Sequence, residues 1–168
     1  MIQIPLTQGK FALVDDRDAD QASHKWRAVR SGQTWYAQRW AWMKEQRSGA
    51  ATNILLHRAI LGLTNPAVHV DHENGNGLDC RRHNLRQATR SQNQGNSRRP
   101  RTNTSGFKGV SRGPSGQWRA SIRRRGTSVH LGTFSTPEAA ARVYDEAARR
   151  FRGEFACVNF PKPGERAA

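Results

Sequence analysis

From Cys80 to Pro137 the chain contains not one aspartate or glutamate, yet it holds twelve arginines and one lysine. A basic block without acids has an uncancelled field, so a polyanion is its natural partner. Cysteine is scarce as well: Cys80 and Cys157 are the only two, and they lie far apart. That argues against a disulfide framework and fits a reducing, cytoplasmic setting rather than secretion. No apolar run approaches ~18 residues, which excludes a membrane-spanning helix of the usual kind. The opening Met1-Ile-Gln-Ile-Pro-Leu-Thr lacks signal-peptide organisation. No amphipathic basic helix or lipidation motif offers a membrane surface as the polyanion. Heptads and long apolar stripes are missing too, so a monomer is expected.

What is present is basic and polar. The net charge is +15, and arginine supplies 23 of the 28 basic residues. Arginine suits bidentate recognition of phosphate and guanine better than lysine does. Apolar residues make up 35% and mean hydropathy is −0.85, so any core is small. A length of 168 residues allows one ordinary domain or two small ones.

The chain is organised around residues 69–93. Val68 and Val70 flank His69 and read as a short strand. Asp71 and His72 follow side by side, then a loop with Gly75 and Gly77 that lets the chain reverse. Asn84-Leu-Arg-Gln-Ala-Thr comes next, and a turn-to-helix run carries Asn93. An acid, an imidazole and two amides are thus spaced for a strand–loop–helix arrangement. Hydrolysing a phosphodiester needs an activated water and neutralised charge at phosphorus. An imidazole titrates near neutrality, which suits His72 as the base. Asp71 and the Asn93 amide offer oxygen ligands to a hard cation, Mg²⁺ or Mn²⁺. Asn84 is expected to tie the loop to the strand. A rival set, His69-x-x-His72 with Cys80-x-x-His83, has zinc-like spacing. Positions 69 and 72 on one strand face opposite ways, however, and zinc leaves Asp71, Asn84 and Asn93 unexplained.

This pattern, over residues 57–96, resembles the HNH nuclease family in its phage and intron-encoded homing endonuclease branch. The resemblance implies two strands and a helix around one metal ion. It implies catalytic roles for His72 and Asn84, and metal ligation by Asp71 and Asn93. Leu-His57-Arg58 also matches the family; His57 is expected to pack or orient, and Arg58 to reach phosphate.

Elsewhere, Phe11–Val14 reads as a strand, and the acidic run 15–20 as a turn and short helix start. Residues 26–30 and 34–40 bracket Ser31-Gly-Gln as a hairpin. Trp26, Trp35, Trp40 and Trp42 are expected in a small core. Ile54–Gly62 reads as a short helix stopped by Gly62 and Asn65-Pro66. Residues 97–104 read as a basic linker. Beyond it, 107–112, 117–123 and 129–134 read as three strands with turns at Pro114-Ser-Gly116 and Arg125-Gly126. A helix follows, capped by Thr136 with Pro137 at its first position. Its apolar stripe is Ala140, Val143, Tyr144, Ala147, Ala148 and Phe151. Alternation puts Trp118, Ala120 and Ile122 on the helix side of the middle strand, with Arg119, Ser121 and Arg123 outside.

Gly-Phe-Lys-Gly-Val, Gly-Gln-Trp-Arg-Ala-Ser-Ile, Leu-Gly-Thr-Phe and Val-Asn-Phe-Pro in this segment resemble the APETALA-type, or ethylene-response-factor, DNA-binding domain. That resemblance implies a three-stranded sheet in the major groove with the helix behind it. The DNA contacts it implies are Lys108, Arg112, Trp118, Arg119, Ser121, Arg123, His130 and Thr133. Ser111 and Gly113 stand where plant members usually carry arginine, and Ser115 and His130 where they carry tryptophan. The plant target sequence is therefore not carried over.

The resulting expectation is an α+β chain in two modules. Residues 1–96 would be a β-rich segment followed by a ββα-metal nuclease core at 57–96, and residues 105–161 a three-stranded antiparallel sheet on one helix. The expected function is metal-dependent cleavage of double-stranded DNA by a nicking or homing endonuclease in the cytoplasm of a bacterial or phage-infected cell. A catalytically inactive DNA-binding regulator and a zinc-stabilised nucleic-acid-binding protein are the other two classes.

Overall fold

Buried Ile4, Ala12 and Val14 alternate with more exposed neighbours in an N-terminal antiparallel ladder of β1 (Ile2–Pro5) and β2 (Phe11–Val14), with Ile2 opposite Val14. The computed structural model describes residues 1–42, 51–124 and 126–168, with backbone alone for Trp42 and Ala51. The Trp42 side chain, expected in the core, and Arg125, expected in a turn, thus lie outside the described residues. The chain is mixed α+β and divides into two units, Met1–Ala88 and Thr89–Ala168.

In the first unit, β3 (Arg27–Ser31), β4 (Thr34–Trp42) and β5 (Ala51–Leu55) form an antiparallel sheet with β4 in the centre. The acidic run becomes a 3-10 turn over Asp16–Ser23. Helix α1 (Leu56–Ile60) is shorter than the expected 54–62, because Ile54 and Leu55 pair with Arg39 and Gln38 as the end of β5. An antiparallel hairpin of β6 (His69–His72) and β7 (Leu85–Ala88) completes the unit. Its core gathers Ile4, Leu6, Ala12, Val14, Trp26, Ala28, Leu56, Ile60, Val70 and Leu85. Trp26 is buried and Trp35 packs against this core. Trp40 does not join it: the ring is 58% exposed, and the Arg27 guanidinium lies 5.2 Å from its centre.

The second unit opens with helix α2 (Arg90–Gly95). Thr89 caps it: Oγ1 accepts from Gln92 N, and Thr89 N donates to Gln92 Oε1, so two terminal amides are satisfied at once. An antiparallel sheet of β8 (Val110–Arg112), β9 (Trp118–Arg124) and β10 (Thr127–Phe134) follows, with β9 central. Helix α3 (Pro137–Arg152) packs on it, with Ala140, Ala141, Tyr144 and Ala148 buried. Phe151, expected in the apolar stripe, is 40% exposed with the Arg124 guanidinium 4.7 Å from its ring. Two short strands, β11 (Cys157–Val158) and β12 (Arg166–Ala167), pair in parallel. The units part at Ala88/Thr89, ahead of the expected 97–104 linker. That segment and α2 are tied to the second unit by side chains: Asn103 Nδ2 donates to Phe107 O and Val110 O, and Arg152 donates to Gly95 O.

Candidate functional site

The loop between β6 and β7 is held by a network that begins in the sequence expectation for Asn84. Asn84 is buried; its Oδ1 accepts from Asn74 N at 2.9 Å, and its Nδ2 donates to Asp79 O at 2.7 Å. Glu73 N donates to Asn84 O. Asp79, also buried, takes a bidentate pair from Arg81 at 2.8 and 2.7 Å and a third bond from Asn74 Nδ2. The Arg81 guanidinium, chiefly by these bonds, holds the Asp79 carboxyl below its ordinary range. The loop is also fixed from outside. Leu13 N donates to Leu78 O and Cys80 N to Leu13 O, which docks it on β2. Gly77 lies so close to β4 that a Cβ would sit 2.4 Å from Trp35 O and 2.8 Å from the Tyr36 ring. No other residue fits there.

Two clamps escape a reading of the sequence alone. Arg82 donates bidentately to buried Asp18 at 2.9 and 2.7 Å and to Ile60 O, while Arg82 N donates to Asp15 Oδ2. The acidic run therefore anchors the loop's far end. Arg58, expected at phosphate, spends its donors on Val68 O, Leu63 O and Asn65 O, which fixes the entry into β6. An arginine followed by a carbonyl-rich turn gives no signal that distinguishes the two roles.

This scaffold carries Asp71 and His72 at the end of β6, both buried. Asp71 stands opposite Arg86 in the hairpin, and Arg86 Nε donates to Asp71 Oδ2 at 2.8 Å. His72 sits in an aromatic cluster: its ring centre is 5.0 Å from that of His57 and 5.7 Å from that of Tyr36. His57 and Tyr36 are 5.6 Å apart, close to edge-on. Burial, then the charges of His72 and Arg58, push the His57 imidazole down to about 3. His57 is therefore neutral at pH 7.

Among the described residues no three His, Cys, Asp or Glu side chains converge as a metal cluster would. The zinc set is therefore not assembled: Cys80 is fully buried with Sγ 3.9 Å from Gly77 O, and His83 is exposed. Asn93 lies in α2 of the second unit, half-buried.

In the second unit the sheet register brings most expected DNA contacts to one face. Arg119 is opposite Ser111 on one side and Thr133 on the other; Ser121 is opposite His130, and Arg123 opposite Ser128. Arg119, Arg123, His130 and Thr133 are exposed, and Ser121 is half-buried. Ser111 and Ser128 join this face. The reverse face buries Val110, Ala120 and Ile122 against α3. Arg112 and Trp118 stand at the end of the sheet, with the guanidinium 5.9 Å from the indole centre. Trp118 packs against the core. Lys108 is not on the exposed face: the residue is buried, and its Nζ donates to Gly95 O at 2.8 Å and to Ser97 O.

Comparison with known proteins matches residues 105–154 to the AP2 domain and residues 56–94 to the HNH endonuclease family. An AP2/ERF and B3 domain-containing protein of Oryza sativa is 51% identical over 65 residues, 39% of this chain and 18% of that protein. An ethylene-responsive transcription factor of Arabidopsis thaliana is 56% identical over 62 residues, 36% and 24% of the two chains. Ethylene-responsive transcription factor 3 of Nicotiana tabacum is 51% identical over 59 residues, 34% and 26%. The chain thus spans about a quarter or less of the length of these relatives. Residues 105–154 are an AP2 domain, built from the β8–β10 sheet and α3.

Proposed function

We propose, from an AP2 domain joined in one chain to an HNH-like segment, that this protein is a metal-dependent DNA endonuclease. The AP2 sheet holds duplex DNA and the 57–96 segment cuts it. The observation that carries the reading is the buried Asp71–His72 pair at the end of β6, beside a loop braced by Asn84. His72 takes the proton from the attacking water, with the neutral His57 ring 5.0 Å from its own. Asp71 and Asn93 would hold Mg²⁺ or Mn²⁺, which would supply charge neutralisation at the phosphate. Asn84 supports the catalytic loop. Arg119, Arg123 and His130 face the DNA, with arginines reading base edges or phosphates.

The finer assignment, to a phage-type homing or nicking enzyme, rests on the motif order Asp-His, Asn-Leu-Arg and Ser-Gln-Asn. One such set addresses one phosphodiester, so a monomer nicks one strand. The second reading is a DNA-binding regulator without cleavage, favoured by relatives that are named as transcription factors. Supercoiled plasmid incubated with the protein and Mg²⁺ separates them. Open circle formed with Mg²⁺ and abolished by chelator supports the nuclease. Bound but intact plasmid across Mg²⁺ and Mn²⁺ supports the regulator. Linear product appearing first would reject monomeric nicking.

A further inference from the structure

The family pattern assigns Lys108 to DNA, yet the second unit buries it and turns its ammonium toward α2. We infer that Lys108 is a positioning residue that fastens the Asn93-bearing helix to the AP2 domain, so that the DNA-binding unit itself sets that helix; the cleavage consequence rests on the nuclease reading above.

Helix α2 has six residues, too few to hold by itself in water. Its N-terminus is satisfied by the Thr89 capping box, but its last carbonyls need outside donors. Lys108 Nζ donates to Gly95 O and, one turn-end further, to Ser97 O. From α3, Arg152 Nη1 donates to the same Gly95 O at 3.1 Å and to Tyr144 Oη at 3.1 Å. Two cations at a helix C-terminus also complement its dipole. The contact leaves no room: a Cβ on Gly95 would meet Arg152 Cδ at 2.8 Å and Phe155 O at 3.3 Å.

Lys108 can act as a clamp because its own backbone is held. Asn159 Oδ1 accepts from Lys108 N at 2.6 Å, and Asn159 Nδ2 donates to Lys108 O at 3.1 Å. Asn159 in turn donates to Asp145 Oδ1 from N and from Nδ2, at 2.8 and 3.0 Å. Asp145 belongs to α3 and is fully buried. A continuous chain of bonds therefore runs from α3 through Asn159 and Lys108 to the end of α2. Burial above all lowers the Lys108 ammonium to about 8, against an upward pull from Cys157 and together with repulsion from Arg152 and Arg166. It remains charged at pH 7, in an enclosed, carbonyl-lined seat.

The test uses Lys108→Met in the 168-residue chain, which keeps the length of the stem and removes the donors. Three readouts are taken: amide hydrogen exchange, affinity for a duplex, and the cleavage rate at saturating duplex and Mg²⁺. The inference expects protection of the Asn93 and Asn96 amides to fall by about tenfold or more while α3 keeps its own. Affinity should stay within about threefold, because the sheet face is untouched. The saturated cleavage rate should fall by about tenfold or more. Lost affinity with α2 protection intact would overturn the inference and return Lys108 to the DNA. Loss of protection throughout α3 would mark a general folding role, and Arg152→Met then decides: α2 must loosen alone. If the wild-type protein cuts nothing, the nuclease reading fails, while the exchange readout still decides whether Lys108 is the clamp.

Discussion

Acidification should unfold the first unit through His57. In the folded chain burial holds this imidazole near 3, whereas an exposed histidine titrates near 6.5. Between those values the unfolded chain binds a proton that the folded chain refuses. The group's folded value is the depressed one, so its stabilising contribution is complete above pH 6.5 and drains away as pH falls toward 3. Each unit of pH is worth ~1.4 kcal/mol, so going from neutrality to pH 4.5 should remove about 2–3 kcal/mol. That is a large share of the stability of a small domain. His57→Phe keeps a ring against Tyr36 and His72 but cannot titrate. Urea unfolding followed by tryptophan fluorescence suits the test, because four of the five tryptophans lie in the first unit. Wild type should lose about 2–3 kcal/mol more than His57→Phe between pH 7.5 and 4.5. The carboxylates are common to both proteins and cancel in the comparison. Equal losses in the two proteins would refute the reasoning, by showing that His57 takes its proton while folded.

Asn84→Ala should destabilise the first unit by about 2–3 kcal/mol, read in the same urea assay, because it strands Asn74 N and Asp79 O inside the loop. Gly109→Ala should cost the second unit more than about 2 kcal/mol in a circular dichroism melt: its φ is +75°, and a Cβ would lie 2.0 Å from the Tyr144 ring. Arg119→Ala and Arg123→Ala should each lose about 1–3 kcal/mol of duplex affinity in titration, concentrated on particular bases if the side chain reads an edge and uniform if it grips phosphate.

The β3–β4 hairpin, the α3 boundaries and the inside–outside alternation of β9 were legible in the sequence because each follows from local periodicity and local caps. Gly32 at the β3–β4 turn and Thr136 before Pro137 are signals of that kind. The clamps were not legible, because they join residues far apart. Nothing local in Arg82 names Asp18 as its partner, and nothing local in Lys108 names Gly95. Trp40 and Phe151 fail for a related reason: an aromatic residue in an apolar pattern was assigned to the core, whereas each ring is exposed with an arginine guanidinium over it. Within the candidate site, the sequence order announced Asp71, His72 and Asn84. The aromatic pocket of His57 and Tyr36 around His72 depends on β4 lying against the hairpin, which no motif records.

The most direct test of the central claim measures cleavage and binding side by side for wild type and His72→Ala on one labelled duplex with Mg²⁺. The account expects Mg²⁺-dependent strand cleavage by wild type, a fall of ~10²–10⁴-fold in rate for the variant, and nearly equal affinity for the two. Cleavage by His72→Ala at the wild-type rate would contradict it.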